Sequence, residues 1–201
     1  MEELIKNLGL VINATLIATP PLLYAALGST FSERSGVVNI GIEGMMTIGA
    51  FVGAAVAHFT SNAWLAFLCG GLVGALFGLI HAIACISFGA DQTISGTAIN
   101  FLAPGVAIFV CKSLFEQSSN TPPLDTAQKL PKLFNGVFEV GSFWNNVLNT
   151  YVATYLAFIA VAVVWFIFYK TRFGMHLRAV GEHPKACETQ GINVFRTRYI
   201  A

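Results

Sequence analysis

Five long apolar runs, separated by short polar segments, dominate the pattern of the chain. They cover about residues 8–28, 40–59, 64–88, 93–115 and 147–169. Each run is near the ~20 residues that an α-helix needs to cross the hydrocarbon core of a bilayer. The pattern therefore predicts an all-α fold, a polytopic membrane helix bundle with about five spans.

Backbone irregularity is predicted at two places. Pro20 and Pro21 fall inside the first run, where they remove backbone donors and should kink the helix. Residues 29–44, between the first two runs, mix glycine and polar groups with apolar side chains. Irregular backbone is tolerated at membrane depth only where it is buried in protein or lines a cavity. This segment is therefore either an aqueous turn or a broken helix, which would add a sixth, incomplete span.

Small residues four positions apart mark two of the runs. Gly49 and Gly53 lie in the second run, and Gly70, Gly74 and Gly78 lie in the third. In lipid, small residues let helix backbones approach closely. We expect these helices to pack as members of a bundle.

Composition excludes a soluble domain. Hydrophobic residues make up 55% of the chain and charged residues only 10%, against about 25% charged in a typical globular domain. The net charge of +1 points to no nucleic-acid partner. The four cysteines stand singly along the chain, at Cys69, Cys85, Cys111 and Cys187. They show no Cys/His spacing typical of a zinc site and no pattern typical of a disulfide framework.

The distribution of charge predicts which segments face the cytoplasm. With five simple crossings and a cytoplasmic tail, seven of the eleven basic residues lie on the cytoplasmic side, in agreement with the positive-inside rule. We therefore divide the chain into a transmembrane domain, residues 1–169, and a cytoplasmic segment, residues 170–201. Residues 116–146 form a polar linker on one membrane face. The N-terminus lacks the features of a cleaved signal, and its side of the membrane is left open.

Asn39, Glu43 and Asn100 are the candidate pathway residues. Polar and ionisable groups are costly inside a bilayer and usually face the bundle interior or an aqueous cavity. Glu43 has the alternative of lying at the interface, as a cap or as a partner of Arg34. For Asn100 the alternative is to bridge two helices by hydrogen bonds.

Other polar residues have simpler interpretations, and no enzyme motif is present. Asp91 is expected to cap or begin the fourth helix, and His81 is expected to be a buried, hydrogen-bonded side chain rather than a proton carrier. The sequence contains no GxxxxGK[ST] phosphate loop, HExxH motif or GxSxG elbow. No catalytic residue and no metal site are predicted, and we do not expect the chain to hydrolyse a nucleotide itself.

The segment from Arg172 to Val194 carries the strongest signal. It contains a short stretch around Met175 to Val180, a break at Gly181, and a helix predicted to open at Pro184 and close at Gly191. A short amphipathic helix presented to the cytoplasm either docks into a groove of another protein or lies on anionic lipid.

Three blocks of sequence resemble one family. Residues 174–186 (GMHLRAVGEHPKA), with GINV at 191–194, are similar to the cytoplasmic coupling loop of bacterial ABC-importer permeases for branched-chain amino acids and simple sugars. SERSGVVNIGIEGMMTIGAF at 32–51 resembles the nucleoside-uptake branch of that family, and ADQTISGTAIN at 90–100 is a third matching block.

The resemblance implies a permease subunit of the bacterial cytoplasmic (inner) membrane that imports nucleosides or related purine and pyrimidine compounds. It implies four kinds of partner: a second permease subunit, two ATP-binding cassette subunits, a substrate-binding lipoprotein or periplasmic protein, and the lipid bilayer. ATP would be bound by the partner, so no cofactor is expected in this chain. The residues implied to dock the ATPase are Arg178, Ala179, Gly181, Glu182 and Gly191.

Three other functions are left open by the residues. A permease of the same family would carry a simple sugar instead. An ion-coupled secondary transporter would use Glu43, Asp91 and His81 as a relay. The third alternative is a non-transporting fragment, because family members continue with several more spans after the coupling loop. We therefore expect a truncated chain whose last residues begin a missing span.

Overall fold

The computed structural model describes residues 2–115, 120–138 and 142–201, and the side chains from residue 7 onward within those ranges. Nine α-helices form in this described part, and no strand does. Their bounds are α1 Glu2–Arg34, α2 Ile42–Thr60, α3 Ala63–Ala82, α4 Gln92–Leu114, α5 Phe143–Leu148, α6 Val152–Lys170, α7 Arg172–Glu182, α8 Pro184–Thr189 and α9 Val194–Ile200. A π-helical turn, Ile83–Ser87, continues α3, and a short 3₁₀ turn covers Thr126–Gln128.

Five of the helical stretches are long and apolar enough to cross a membrane, which confirms the predicted all-α membrane bundle. They are Asn7–Arg34, Ile42–Thr60, Ala63–Ser87, Gln92–Leu114 and Val152–Lys170. The first helix runs past the predicted end near residue 28, and Ser29 Oγ there donates to Glu33 Oε1 at 2.8 Å, one turn further on. α1 is helical on both sides of Pro20 and Pro21.

The segment between α1 and α2 is shorter than expected. Only residues 35–41 are irregular, and these seven residues are called the bridging segment below. The broken helix that would have made a sixth span does not form within residues 29–44, because α1 continues to Arg34 and α2 begins at Ile42. The predicted linker, residues 116–146, includes 116–119 and 139–141, which lie outside the described residues.

The chain divides into two compact units, each described by itself. The first comprises Met1–Leu27 and Leu130–Trp165. Within it, the Tyr24 hydroxyl donates to Ala153 O at 3.2 Å, and Thr154 Oγ1 donates to Leu16 O at 3.3 Å. These bonds join α1 to α6 through their backbone carbonyls, which suits helices that have no water to satisfy polar groups.

The second unit comprises Gly28–Lys129 and Phe166–Ala201. Its core lies between α2, α3 and α4 and is formed by buried apolar side chains: Ile48, Phe77, Ile99, Ala103 and Ala107. A Cβ atom placed on Gly70 would lie 2.7 Å from Gly49 O, closer than real Cβ contacts. The expectation that helices bearing these small residues pack together is therefore confirmed for α2 and α3.

Candidate functional site

The bridging segment is held by a side chain from the start of α4. Gln92 Oε1 accepts a hydrogen bond from Val38 N at 2.7 Å, and Gln92 Nε2 donates to Gly36 O at 3.4 Å. Ser35 and Val37, in the same segment, are buried. Because this stretch has no helix of its own to pair its backbone groups, these bonds stabilise it.

His81, on α3, holds the same segment from another direction. Its side chain is 3% exposed. Its Nε2 lies 3.2 Å from Val38 O, and its Nδ1 lies 3.0 Å from Ser95 Oγ. A carbonyl oxygen can only accept, so Nε2 carries a proton and donates it. The expectation of a buried, hydrogen-bonded histidine is confirmed.

Asn100 joins α4 to the beginning of α2. Its Oδ1 accepts from Gly44 N at 2.8 Å, and its Nδ2 donates to Ile40 O at 2.9 Å. The N-cap residue of α2 is Gly41, which has no side chain to satisfy the first amides of the helix. Asn100 therefore supplies, from a neighbouring helix, the cap that α2 lacks. This is the helix-bridging alternative of the sequence analysis.

Glycines allow α2 and α4 to meet at backbone distance around this cap. A Cβ on Gly44 would lie 2.6 Å from Ile99 O, and one on Gly96 would lie 2.9 Å from Gly41 N. No side chain larger than hydrogen fits at either position without movement of backbone. The Asn100 amide reaches Gly44 because of this close approach.

The three candidate pathway residues are all near the start of α2, in different settings. Asn39 Oδ1 accepts from Gly41 N at 3.0 Å, so both Asn39 and Asn100 bind backbone. Glu43 lies in the first turn of α2 and its side chain is exposed. Their role in a solute pathway stays a prediction.

Asp91 is the N-cap of α4. Its Oδ1 accepts from Thr93 N at 2.8 Å and from Ile94 N at 2.9 Å. The expectation that it begins the fourth helix is confirmed. The sequence assigns no role to the next residue, Gln92. Nothing in a single sequence pairs it with Val38 and Gly36, which lie 54 and 56 positions away.

A sharp turn connects the end of α6 to α7. Thr171 caps α7 by accepting from Gly174 N at 3.2 Å, and its hydroxyl donates to Ile167 O at 2.5 Å. A Cβ on Gly174 would lie 2.3 Å from Ile167 O, so only glycine permits this turn as it stands. The cap and the glycine together fix the direction in which α7 leaves the last span.

α7 and α8, with the residues up to Gly191, are called the docking segment below. One face of it is buried: Leu177 and Val180 are fully inaccessible, and Val180 packs with Cys187 and Val194. α8 begins at Pro184, as predicted, whereas the break predicted at Gly181 does not form, because α7 continues through it to Glu182. Gly191 has φ +78°, a left-handed conformation that favours glycine, just after the helix.

The predicted docking residues fall into two groups. Glu182 and Gly191 are exposed, whereas Ala179 and Gly181 are half-buried. Arg178 is half-buried as well: its Nε donates to Gly174 O at 3.4 Å, and its guanidinium lies 5.3 Å from the centre of the Tyr169 ring. The exposed surface of the segment therefore carries charge of both signs, from Arg172, Glu182, Lys185 and Glu188.

Gly181 places the docking segment against the end of α1. A Cβ there would lie 2.3 Å from Arg34 O and 3.0 Å from Arg34 C. The next residue, the first of the bridging segment, is bound by α9, where Arg198 Nε donates to Ser35 O at 3.2 Å. In the described residues, no group of three or more His, Cys, Asp or Glu side chains is arranged to hold a metal ion.

Comparison with known proteins identifies relatives of this chain. Residues 11–201 match the family described as "Branched-chain amino acid transport system / permease component". The chain is 44% identical, over 98% of its length, to the guanosine ABC transporter permease protein NupQ of Bacillus subtilis. It is 34% identical, over 98%, to the nucleoside ABC transporter permease protein NupC of Lactococcus lactis. It is 37% identical, over 95%, to the putative glucose ABC transporter permease protein TsgC13 of Haloferax volcanii.

These matches cover part of the relatives. The chain spans 64%, 63% and 57% of the lengths of these three proteins. No solved structure matches the chain. The family match extends over nearly the whole chain, and five helices in the described part are able to cross a membrane. The chain therefore belongs to the family of permease components of branched-chain amino acid transport systems, as a multi-pass membrane protein.

Proposed function

We propose that the chain is a permease subunit of an ATP-driven ABC importer that moves nucleosides or related compounds across the bacterial cytoplasmic membrane by alternating access. The observation that carries this proposal is its similarity, over 98% of the chain, to permeases named for guanosine and for nucleosides. The same similarity supports a non-catalytic role, with ATP bound and hydrolysed by a partner subunit and no cofactor in this chain.

The docking segment is the surface proposed to receive the ATP-binding subunit, with residues 170–201 in the cytoplasm. Its face around Leu177 and Val180 is buried within the second unit. Its exposed face carries Glu182 and Lys185, which suits a polar interface rim. A surface that is buried on one side and charged on the other is able to transmit force from a partner.

The remaining partners follow from the same proposal. A second permease subunit would complete the membrane pathway, and a lipoprotein or periplasmic protein would deliver solute. Purification of the tagged chain from its native membrane, with every stoichiometric partner identified by mass, tests this set. Recovery of an ATP-binding subunit and a second permease supports the proposal, whereas reproducible recovery of the chain without them contradicts it.

A simple sugar is the second candidate substrate. The 37% identity to a putative glucose permease favours it over unrelated solutes. Competition separates the two candidates: unlabelled guanosine should suppress labelled nucleoside uptake at concentrations where glucose has no effect. Suppression by glucose alone would favour the sugar.

Reversing the charge of Glu182 is expected to weaken binding of the ATP-binding subunit. Glu182 is exposed near the end of α7, and a like-charge contact at an interface commonly costs enough free energy to lower affinity about tenfold or more. Glu182→Arg should therefore reduce the ATP-binding subunit recovered with the tagged chain. Lys112→Glu, a charge reversal in the last turn of α4, is the control and should leave recovery unchanged. Equal recovery with both variants would contradict the docking role.

A further inference from the structure

The bridging segment is in contact with the docking segment on one side. Gly36 has φ +87°, and a Cβ placed on it would lie 3.4 Å from Gly181 Cα. Gly181 in turn lies against the carbonyl oxygen of Arg34, which is the last residue of α1 before the segment. These are contacts of backbone with backbone. Since close-packed protein has little free volume to absorb a shift, a displacement of α7 at Gly181 must also displace residues 34–36.

On its other side the bridging segment is bound to α3 and α4. Gln92 binds Val38 N and Gly36 O, His81 binds Val38 O, and Asn100 binds Ile40 O. These polar groups of an irregular stretch are therefore tied to two membrane-spanning helices.

We propose that the bridging segment transmits movement of the docking segment to α3 and α4, and that Gln92 is the positioning residue that makes this transmission possible. The inference rests on the proposed function, because it requires an ATP-binding subunit that moves the docking segment. Gln92 acts through the backbone of the bridging segment and is not assigned contact with solute or nucleotide.

Gln92 is singled out because both of its hydrogen bonds go to the bridging segment. Asn100 also caps α2, and His81 is also bonded to Ser95, so their replacement would disturb helix packing as well. Gln92 forms hydrogen bonds with one backbone N–H and one backbone C=O of the segment, on residues that lie two positions apart. That pair of bonds fixes both the position and the direction of the segment relative to α4.

The test measures solute moved per ATP hydrolysed, in the purified complex with its partners reconstituted in liposomes. Gln92→Met keeps the length of the side chain and removes both hydrogen bonds. Loss of such bonds is expected to lower the ratio of uptake to hydrolysis about tenfold, with ATP hydrolysis within about twofold of the unmodified complex. Gln92→Glu retains an oxygen for Val38 N and should give an intermediate ratio.

Thr97→Val is the matched control. Thr97 lies on the same helix, its hydroxyl donates only to Thr93 O in its own backbone at 2.8 Å, and its side chain is exposed. The control should keep the ratio of the unmodified complex. A parallel fall of uptake and hydrolysis in Gln92→Met, or no change in either, would overturn the inference. Absence of an ATP-binding subunit from the unmodified complex would instead overturn the proposed function, and the inference with it.

Discussion

Replacement of Gly181 by alanine is expected to lower solute uptake about tenfold. The added Cβ would lie 2.3 Å from Arg34 O, and the obstacle is backbone rather than the end of a flexible side chain. Overpacking of this kind costs about 1–3 kcal/mol, and each 1.4 kcal/mol corresponds to about a factor of ten in an equilibrium. α7 must therefore shift away from α1, which displaces the docking surface.

Gly28→Ala is the matched control for this prediction. Gly28 lies in α1, and a Cβ placed on it meets nothing within 4 Å. Alanine there should leave uptake unchanged and has the better helix propensity. Uptake of radiolabelled guanosine, normalised to the amount of chain in the membrane, is the measurement. Normal uptake in Gly181→Ala would show that α7 does not need this contact.

Replacement of Asn100 by leucine is expected to lower the thermal stability of the chain. The variant keeps a similar volume and leaves Gly44 N and Ile40 O without their partners. An unmade hydrogen bond at a buried group costs about 1–3 kcal/mol, and loss of a helix cap costs about 1 kcal/mol. We expect a loss of about 2 kcal/mol, which corresponds to an unfolding midpoint lower by about 4–8 °C for a chain of this size.

The unfolding midpoint in detergent, followed by the loss of the monodisperse peak on heating, checks this prediction. Thr97→Val is again the control, because the hydroxyl it loses bonds only within α4. Its midpoint should stay within the error of the unmodified chain. An Asn100→Leu midpoint equal to that of the control would mean that water replaces Asn100 at the start of α2.

The helices that cross the membrane were predictable from the sequence, because each is a local pattern of about twenty apolar residues. The caps that act within a few residues were predictable for the same reason, as Asp91 at the start of α4 shows. The prediction for the first helix is too short. Residues 29–34 are mostly polar and typical of a turn, yet in the structure these residues continue α1.

The partners of the bridging segment were beyond prediction from one sequence. His81 lies 43 positions from Val38, and Asn100 lies 60 positions from Ile40. Side-chain to backbone bonds over such distances leave no periodicity in the chain, and a polar residue at membrane depth has the same signature whether it lines a pathway or holds a loop. Depth and polarity make Asn39 and Asn100 pathway candidates, and their hydrogen bonds to backbone give that polarity a structural role as well.

The three candidate pathway residues differ in hydrogen bonding and exposure. The Asn39 and Asn100 amides are engaged with backbone, whereas Glu43, in the first turn of α2, has an exposed side chain. Contact of any of the three with solute stays a prediction. The similarity to permeases named for nucleosides and for glucose extends over the same residues. Similarity over these residues does not by itself decide between these solutes.

Uptake of radiolabelled guanosine by cells that contain the chain and its partners is the most direct test of the proposed function. It should be compared between cells with an intact partner ATP-binding subunit and cells in which that subunit is disabled, with the ion gradients maintained in both. The proposed importer predicts that uptake depends on the chain and is lost with the disabled ATPase. Uptake that persists with the disabled ATPase and collapses with the ion gradients would contradict it and support an ion-coupled transporter.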